Sequence, residues 1–174
     1  MTSRRRRNLI LTAKWAVYVL LLYLAATLQT LPKFLTIGDV RPIFILPICL
    51  AVAVYEGEFA GALFGAVGGL LWDFTAGRVA GLMALGMLTI CFFAAILVQL
   101  YLRMSAMNFI LVTGTACFLI LSIDFLFYYL MPGYAGAGVR YLGVVLPNVV
   151  FTAALSPLAM YSVRGVKRWL TVEE

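Results

Sequence analysis

The 174 residues contain no histidine, and only 11% of them are charged. About 25% is usual for a soluble globular domain, so these few charges cannot cover a compact water-facing surface. Acids are the scarcer sign, with seven Asp and Glu against thirteen Lys and Arg. Without histidine, Ser-His-Asp and Cys-His mechanisms and zincin motifs are unavailable within this sequence. The three cysteines, Cys49, Cys91 and Cys117, fall inside apolar runs without paired spacing, which suits small buried hydrophobes rather than metal ligands. Neither enzymatic chemistry nor a cofactor is expected.

What the chain has in excess is apolar surface. Apolar residues make up 64% of the total, against roughly 45–50% in soluble domains. The 12 Phe, 9 Tyr and 3 Trp exclude disorder, because disordered chains are poor in aromatic and apolar residues. The remaining class is an all-α integral membrane protein. A spanning helix needs roughly 20 residues, so this length holds at most about eight spans, or six with modest loops.

Six spans are the best reading. Arg4 to Arg7 and Lys14 form a basic tail over residues 1–14, and the first apolar run extends from about Trp15 to Leu31. It is longer than a signal-peptide core and has no small-x-small site before Pro32, so it is read as a retained helix. A shorter run from about Pro42 to Tyr55 would start at Pro42 and be kinked by Pro47, and it falls short of a full hydrocarbon core. Further runs extend to about Ala76, from about Ala80 to Leu102, from about Met107 to Met131, and from about Leu142 to Val163. Residues 15–163 thus form one membrane domain, followed by a tail over 164–174. Six spans place nine basic residues (Arg4 to Arg7, Lys14, Arg103, Arg164, Lys167, Arg168) on one side and four (Lys33, Arg41, Arg78, Arg140) on the other. The positive-inside rule then puts both termini in the cytoplasm and disfavours a re-entrant second segment. The net charge of +6 reflects this orientation and attraction to anionic lipid rather than nucleic-acid binding. Glu56 and Glu58 are read as solvated caps at the cytoplasmic start of the third helix, and Trp15, Tyr161 and Trp169 as an interfacial aromatic belt.

The sharpest pattern is Gly57, Gly61, Gly65 and Gly69 at intervals of four, followed by Asp73, Gly77 and Gly81. In lipid, apolar burial does not drive helices together, and small residues at this spacing permit close backbone approach. The stripe marks a tightly packed face, either inside one bundle or against another protein's helix. Asp73 lies on that face, and Asp124 lies in the fifth helix at a comparable depth near the outer end. An intramembrane acid normally pairs or faces a cavity, and Arg41, Arg78 and Arg140 are the charge partners expected on that side. The Gly-x-Gly-Asp and Tyr-Asp signatures of membrane aspartyl proteases are missing around both acids, so a structural or ligand role is expected rather than catalysis.

With these residues in view, the chain resembles the MreD family of bacterial rod shape-determining proteins. The resemblance rests on Gly61-x-x-x-Gly65-x-x-x-Gly69-Leu70-Leu71-Trp72-Asp73, on Gly77 and Gly81-Leu82-Met83-Ala84-Leu85, on Arg41-Pro42, and on Leu146-Pro147, Thr152, Ser156-Pro157-Leu158 and Tyr161. Ile43 departs from the pattern, because the family often carries an acid after Arg-Pro. The resemblance implies a non-enzymatic scaffold of the cell-elongation complex in the bacterial cytoplasmic membrane. It implies a partner resembling MreC, and association with the MreB filament, a glycan polymerase and a penicillin-binding transpeptidase. It also implies a fold similar to the S components of energy-coupling-factor vitamin transporters. Being such a vitamin-binding S component is the alternative, although the Ala-x-x-x-Ala pair typical of their first helix is absent here.

Overall fold

The computed structural model describes residues 2–31, 35–36, 40–77, 81–133 and 137–170. All regular elements among them are helices: α1 (Thr2–Thr30), α2 (Ile45–Glu56), α3 (Glu58–Ala76), α4 (Leu82–Tyr101), α5 (Ala106–Phe125), α6 (Ala137–Arg140) and α7 (Leu146–Trp169). Two π-helical turns extend these rods. Leu126–Leu130 continues α5, and Tyr141–Val145 fuses α6 to α7.

Five helices are long and apolar enough to cross a membrane: Arg7–Thr30, Glu58–Ala76, Leu82–Tyr101, Ala106–Leu130 and Tyr141–Trp169. The sixth expected span, α2, has only 12 residues, about 18 Å of helix against a hydrocarbon core of about 30 Å. α2 sits at the centre of the bundle, packed against α1, α3, α4, α5 and α7. Ile45, Leu46, Cys49, Leu50, Ala51, Val52 and Ala53 are fully buried. Protein therefore surrounds α2 where lipid surrounds the others, which is why it is apolar on every face.

The ends of α2 explain its length. Residues 41–45 direct their N–H groups to side chains of neighbouring helices. Asn148 Oδ1 accepts from Arg41 at 2.6 Å, and the buried Thr152 Oγ1 accepts from Ile43 at 3.0 Å. Gln29 Oε1 accepts from Phe44 and Ile45 at 3.2 and 3.4 Å. These bonds hold the segment out of helix until Ile45, so Pro42 is not the first helical residue as expected. Pro47 falls in the first turn, where a missing N–H leaves no bond unmade, and it does not kink the helix. At the other end, the Lys167 ammonium donates to the Tyr55 carbonyl, and Gly57 ends the helix at φ 105°.

The sequence-based boundaries shift at both termini. α1 is helical from Thr2, through the basic segment expected to be a tail, because nothing between Thr2 and Thr30 is Gly or Pro. The last rod starts at Ala137 rather than Leu142, and ends at Trp169 rather than Val163. Each π turn ends two residues before a proline, Pro132 or Pro147. A proline gives no N–H to the carbonyl four residues back and crowds it, so the preceding turn widens. Met131 N–H accordingly bonds Leu126 O, five residues back, at 3.0 Å.

Replacing Thr152 by Val keeps the shape but strands the buried Ile43 N–H. Destabilisation of about 1–3 kcal/mol is expected, read as a lower thermal midpoint in detergent. Thr115→Val, whose hydroxyl only bonds back to Leu111 on an exposed face, should leave the midpoint unchanged.

Candidate functional site

α3 carries the glycine stripe, and its neighbours occupy the stripe completely. A Cβ at Gly61 would lie 2.2 Å from Ala53 Cα on α2, one at Gly65 2.8 Å from Met87 O, and one at Gly69 2.5 Å from Ala84 Cα on α4. Gly68, which the four-residue spacing overlooks, faces Cys49 on α2, where a Cβ would meet Sγ at 2.5 Å. The four glycines thus line two adjoining seams, one against α2 and one against α4. Gly57, Gly77 and Gly81 do not belong to this surface, contrary to the expectation. A Cβ at Gly77 or Gly81 would meet nothing within 4 Å, and at Gly57 only Gln99 Nε2, at 4.0 Å. Their positive φ angles of 105°, 63° and 112° show that they turn the chain at the ends of α3 and at the start of α4.

Asp73 closes the α3–α4 turn. Its carboxylate is fully buried and accepts the N–H of Gly81 at 2.8 Å and of Met83 at 3.4 Å. α4 begins at a glycine, which has no side chain to cap it, so the cap comes from the neighbouring helix and brings negative charge to the helix N-terminus. Arg78, expected as a charge partner, lies outside the described residues.

One polar cluster gathers at the end where α1 begins. Lys14 Nζ and Glu56 Oε2 form an ion pair at 2.5 Å, with side chains 12% and 9% exposed. Tyr18 donates its hydroxyl to Glu56 Oε1 at 2.9 Å. Glu56 is therefore a buried partner of α1 and not a solvated cap, because the short α2 delivers it between α1 and α7. Glu58 does stand in the first turn of α3. Trp15 packs edge-on against Tyr18, while Tyr161 and Trp169 are exposed along α7.

The second cluster lies about 40 Å away, measured along the last rod from Lys167 to Arg140. A cavity of about 140 Å³ is lined there by Asp124, Phe125, Tyr129, Arg140, Val145 and Asn148, among others. Asp124 is 6% exposed. The Arg140 guanidinium stands 5.3 Å over the Tyr129 ring, and Phe125 stacks on Tyr129 with ring centroids 5.1 Å apart. Tyr141 meets Phe125 edge-on at 5.1 Å and shares a 2.8 Å hydrogen bond with Ser122. Asp124 and Arg140 are thus brought to one cavity, and Arg41 reaches its edge through the backbone bond to Asn148. Asp73 is in the α3–α4 turn and is not among the lining residues. Gln29, Asn148 and Thr152 were overlooked from sequence, although a polar residue inside an apolar run is itself a signal of an internal partner.

The family model of the rod shape-determining protein MreD matches residues 10–159. The chain belongs to the MreD family. The matched stretch covers α1 to most of α7, including both glycine seams, Asp73 and the cavity. No curated protein and no solved structure matches the chain. Family membership and five long apolar helices identify a multi-pass membrane protein concerned with cell shape.

The seams generate a paired test. Gly69→Ala drives a Cβ into Ala84 backbone and should cost about 1–3 kcal/mol or more by overpacking. Gly86→Ala, on the other face of α4 with nothing within 4 Å, should be neutral or gain up to about 1 kcal/mol of helix propensity. Thermal unfolding of the two purified variants in one detergent reads the difference directly.

Proposed function

We propose that the protein is a non-enzymatic scaffold of the bacterial cell-elongation complex, residing in the cytoplasmic membrane with both termini in the cytoplasm. Family membership over residues 10–159 is the observation that carries this reading. Its direct partner is an MreC-like membrane protein, and through it the chain links the MreB filament to peptidoglycan synthesis by a glycan polymerase and a penicillin-binding transpeptidase. The charge distribution supports the orientation, since Lys14 and Lys167 meet α2 at the same end of the bundle and the more basic segments flank that end.

Packing supports a surface role for the outer helix faces rather than for the glycine stripe. Gly61, Gly65 and Gly69 are covered by α2 and α4, so the stripe serves a partner only by holding α3 and α4 in place. The opposite faces of these helices carry Leu63, Phe74, Leu85 and Phe93, all exposed. A partner's membrane helix has side chains of this kind to pack on, with lipid covering what the partner leaves. The cavity does not favour the vitamin-transporter alternative, because about 140 Å³ is below the roughly 300–1,000 Å³ of small-molecule sites.

Photo-crosslinking residues placed singly at Leu63, Phe74, Leu85 and Phe93 should trap the MreC-like protein of the same cell from at least one position. Gly69→Leu should fail to restore rod shape in cells depleted of the wild-type protein. A chain that cross-links to no MreC-like protein, and whose depletion leaves cells rod-shaped, is not this scaffold.

A further inference from the structure

The geometry points to a binding site for a zwitterionic head group carrying a primary ammonium and a phosphate, as in phosphatidylethanolamine, in the cavity between the end of α5 and the start of the last helical rod. Three independent features converge there. The first is the backbone. π-helical turns make up well under 1% of residues in proteins and recur at functional sites. Both π turns of this chain, Leu126–Leu130 and Tyr141–Val145, contribute lining residues to this one cavity.

The second feature is the pairing of opposite charges on its walls. Asp124 supplies a carboxylate at 6% exposure, and a carboxylate has about four acceptor positions, so capacity remains beyond any single protein partner. Arg140 supplies the cation, held by its stacking over Tyr129. Asn148 adds donors on the same side. Its Oδ1 must be the atom that accepts from Arg41 N–H, which fixes the amide orientation and leaves the NH₂ group to donate elsewhere. One acceptor and two donor groups match an ammonium and a phosphate. They do not match a simple anion or a simple cation, each of which would meet a like charge.

The third feature is size and wall chemistry. About 140 Å³ equals the volume of about five liquid waters at roughly 30 Å³ each, enough for a head group but not for a cofactor-sized ligand. Phe125 and Tyr129 present aromatic surface beside Asp124, and aromatic faces attract ammonium groups. The cavity borders the exposed apolar Leu126 and Leu130 of the π turn, so acyl chains attached to a bound head group would continue along a lipid-facing surface. The proposal requires a membrane protein but no assembly partner, so it stands or falls separately from the scaffold role.

Full-length protein, stripped of lipid in detergent, is titrated with short-chain phosphatidylethanolamine, phosphatidylcholine and phosphatidylglycerol, with binding read by native mass spectrometry and by the thermal midpoint. Phosphatidylethanolamine should bind at least about tenfold more tightly than the other two, because choline has no N–H to give Asp124 and glycerol has no cation. Arg140→Gln, at an exposed position, should weaken that binding about tenfold without lowering the ligand-free midpoint. Asp124→Asn should abolish the preference over phosphatidylcholine. If the Asp124 variant does not fold, the wild-type preference and the Arg140 variant still decide. Soluble phosphoethanolamine competing at equal affinity assigns the site to the free compound, and a need for acyl chains assigns it to the lipid; the head-group site holds in both cases. Equal binding of all three lipids by the wild type, or undiminished binding by Arg140→Gln, overturns it.

Discussion

A helix of twelve residues buried among longer ones leaves its end groups far from water, and the arrangement around α2 exists to satisfy them. In hydrocarbon each unpaired backbone group costs several kcal/mol. The entering segment of α2 gives its N–H groups to Gln29, Thr152 and Asn148, and its last turn receives the Lys167 ammonium at the Tyr55 carbonyl. These partners come from the first and last membrane-crossing helices. The same bonds that make a short central helix tolerable therefore tie the two ends of the chain into one body, with Lys14 and Glu56 adding a buried ion pair at the α1 end.

Close packing of α3 extends that constraint outward. Gly61 and Gly68 bring α3 against α2, while Gly65 and Gly69 bring it against α4. Dispersion at short range replaces the hydrophobic drive that lipid cannot supply. Asp73 then fixes the tight connection by capping α4 from α3. α5 and the last rod complete the bundle, and their prolines open the two π turns beside the cavity. A body so internally satisfied keeps its outer faces for lipid and for other proteins, as suits a family defined by its effect on cell shape and not by a reaction.

Much of this was legible in the sequence, because the strongest signals are local. The apolar excess, the positions of the long runs and the four-residue glycine spacing are properties of neighbouring residues, and the family resemblance rests on the same glycine-to-Asp73 stretch. Gly68 escaped because it lies one residue from Gly69, and on a helix that small step turns the side chain toward a different neighbour. Glu56 was misread for a related reason. Its sequence neighbours suggest a solvated turn, whereas its actual partners, Lys14 and Tyr18, are 42 and 38 residues away.

Composition and hydropathy by themselves determined that the chain is helical, membrane-embedded and without the residues of common catalytic centres, since those conclusions follow from how much charge must be hidden or exposed. Only the tertiary structure decided that the second apolar run is a short central helix, that three of the seven pattern glycines and aspartate's neighbours serve turns and not seams, and that Asp124, Arg140 and Asn148 share a cavity. The reason is physical: periodicity reports which face of a helix is apolar or small. It does not report which of five other helices meets that face, or which distant side chain satisfies a backbone group at its end.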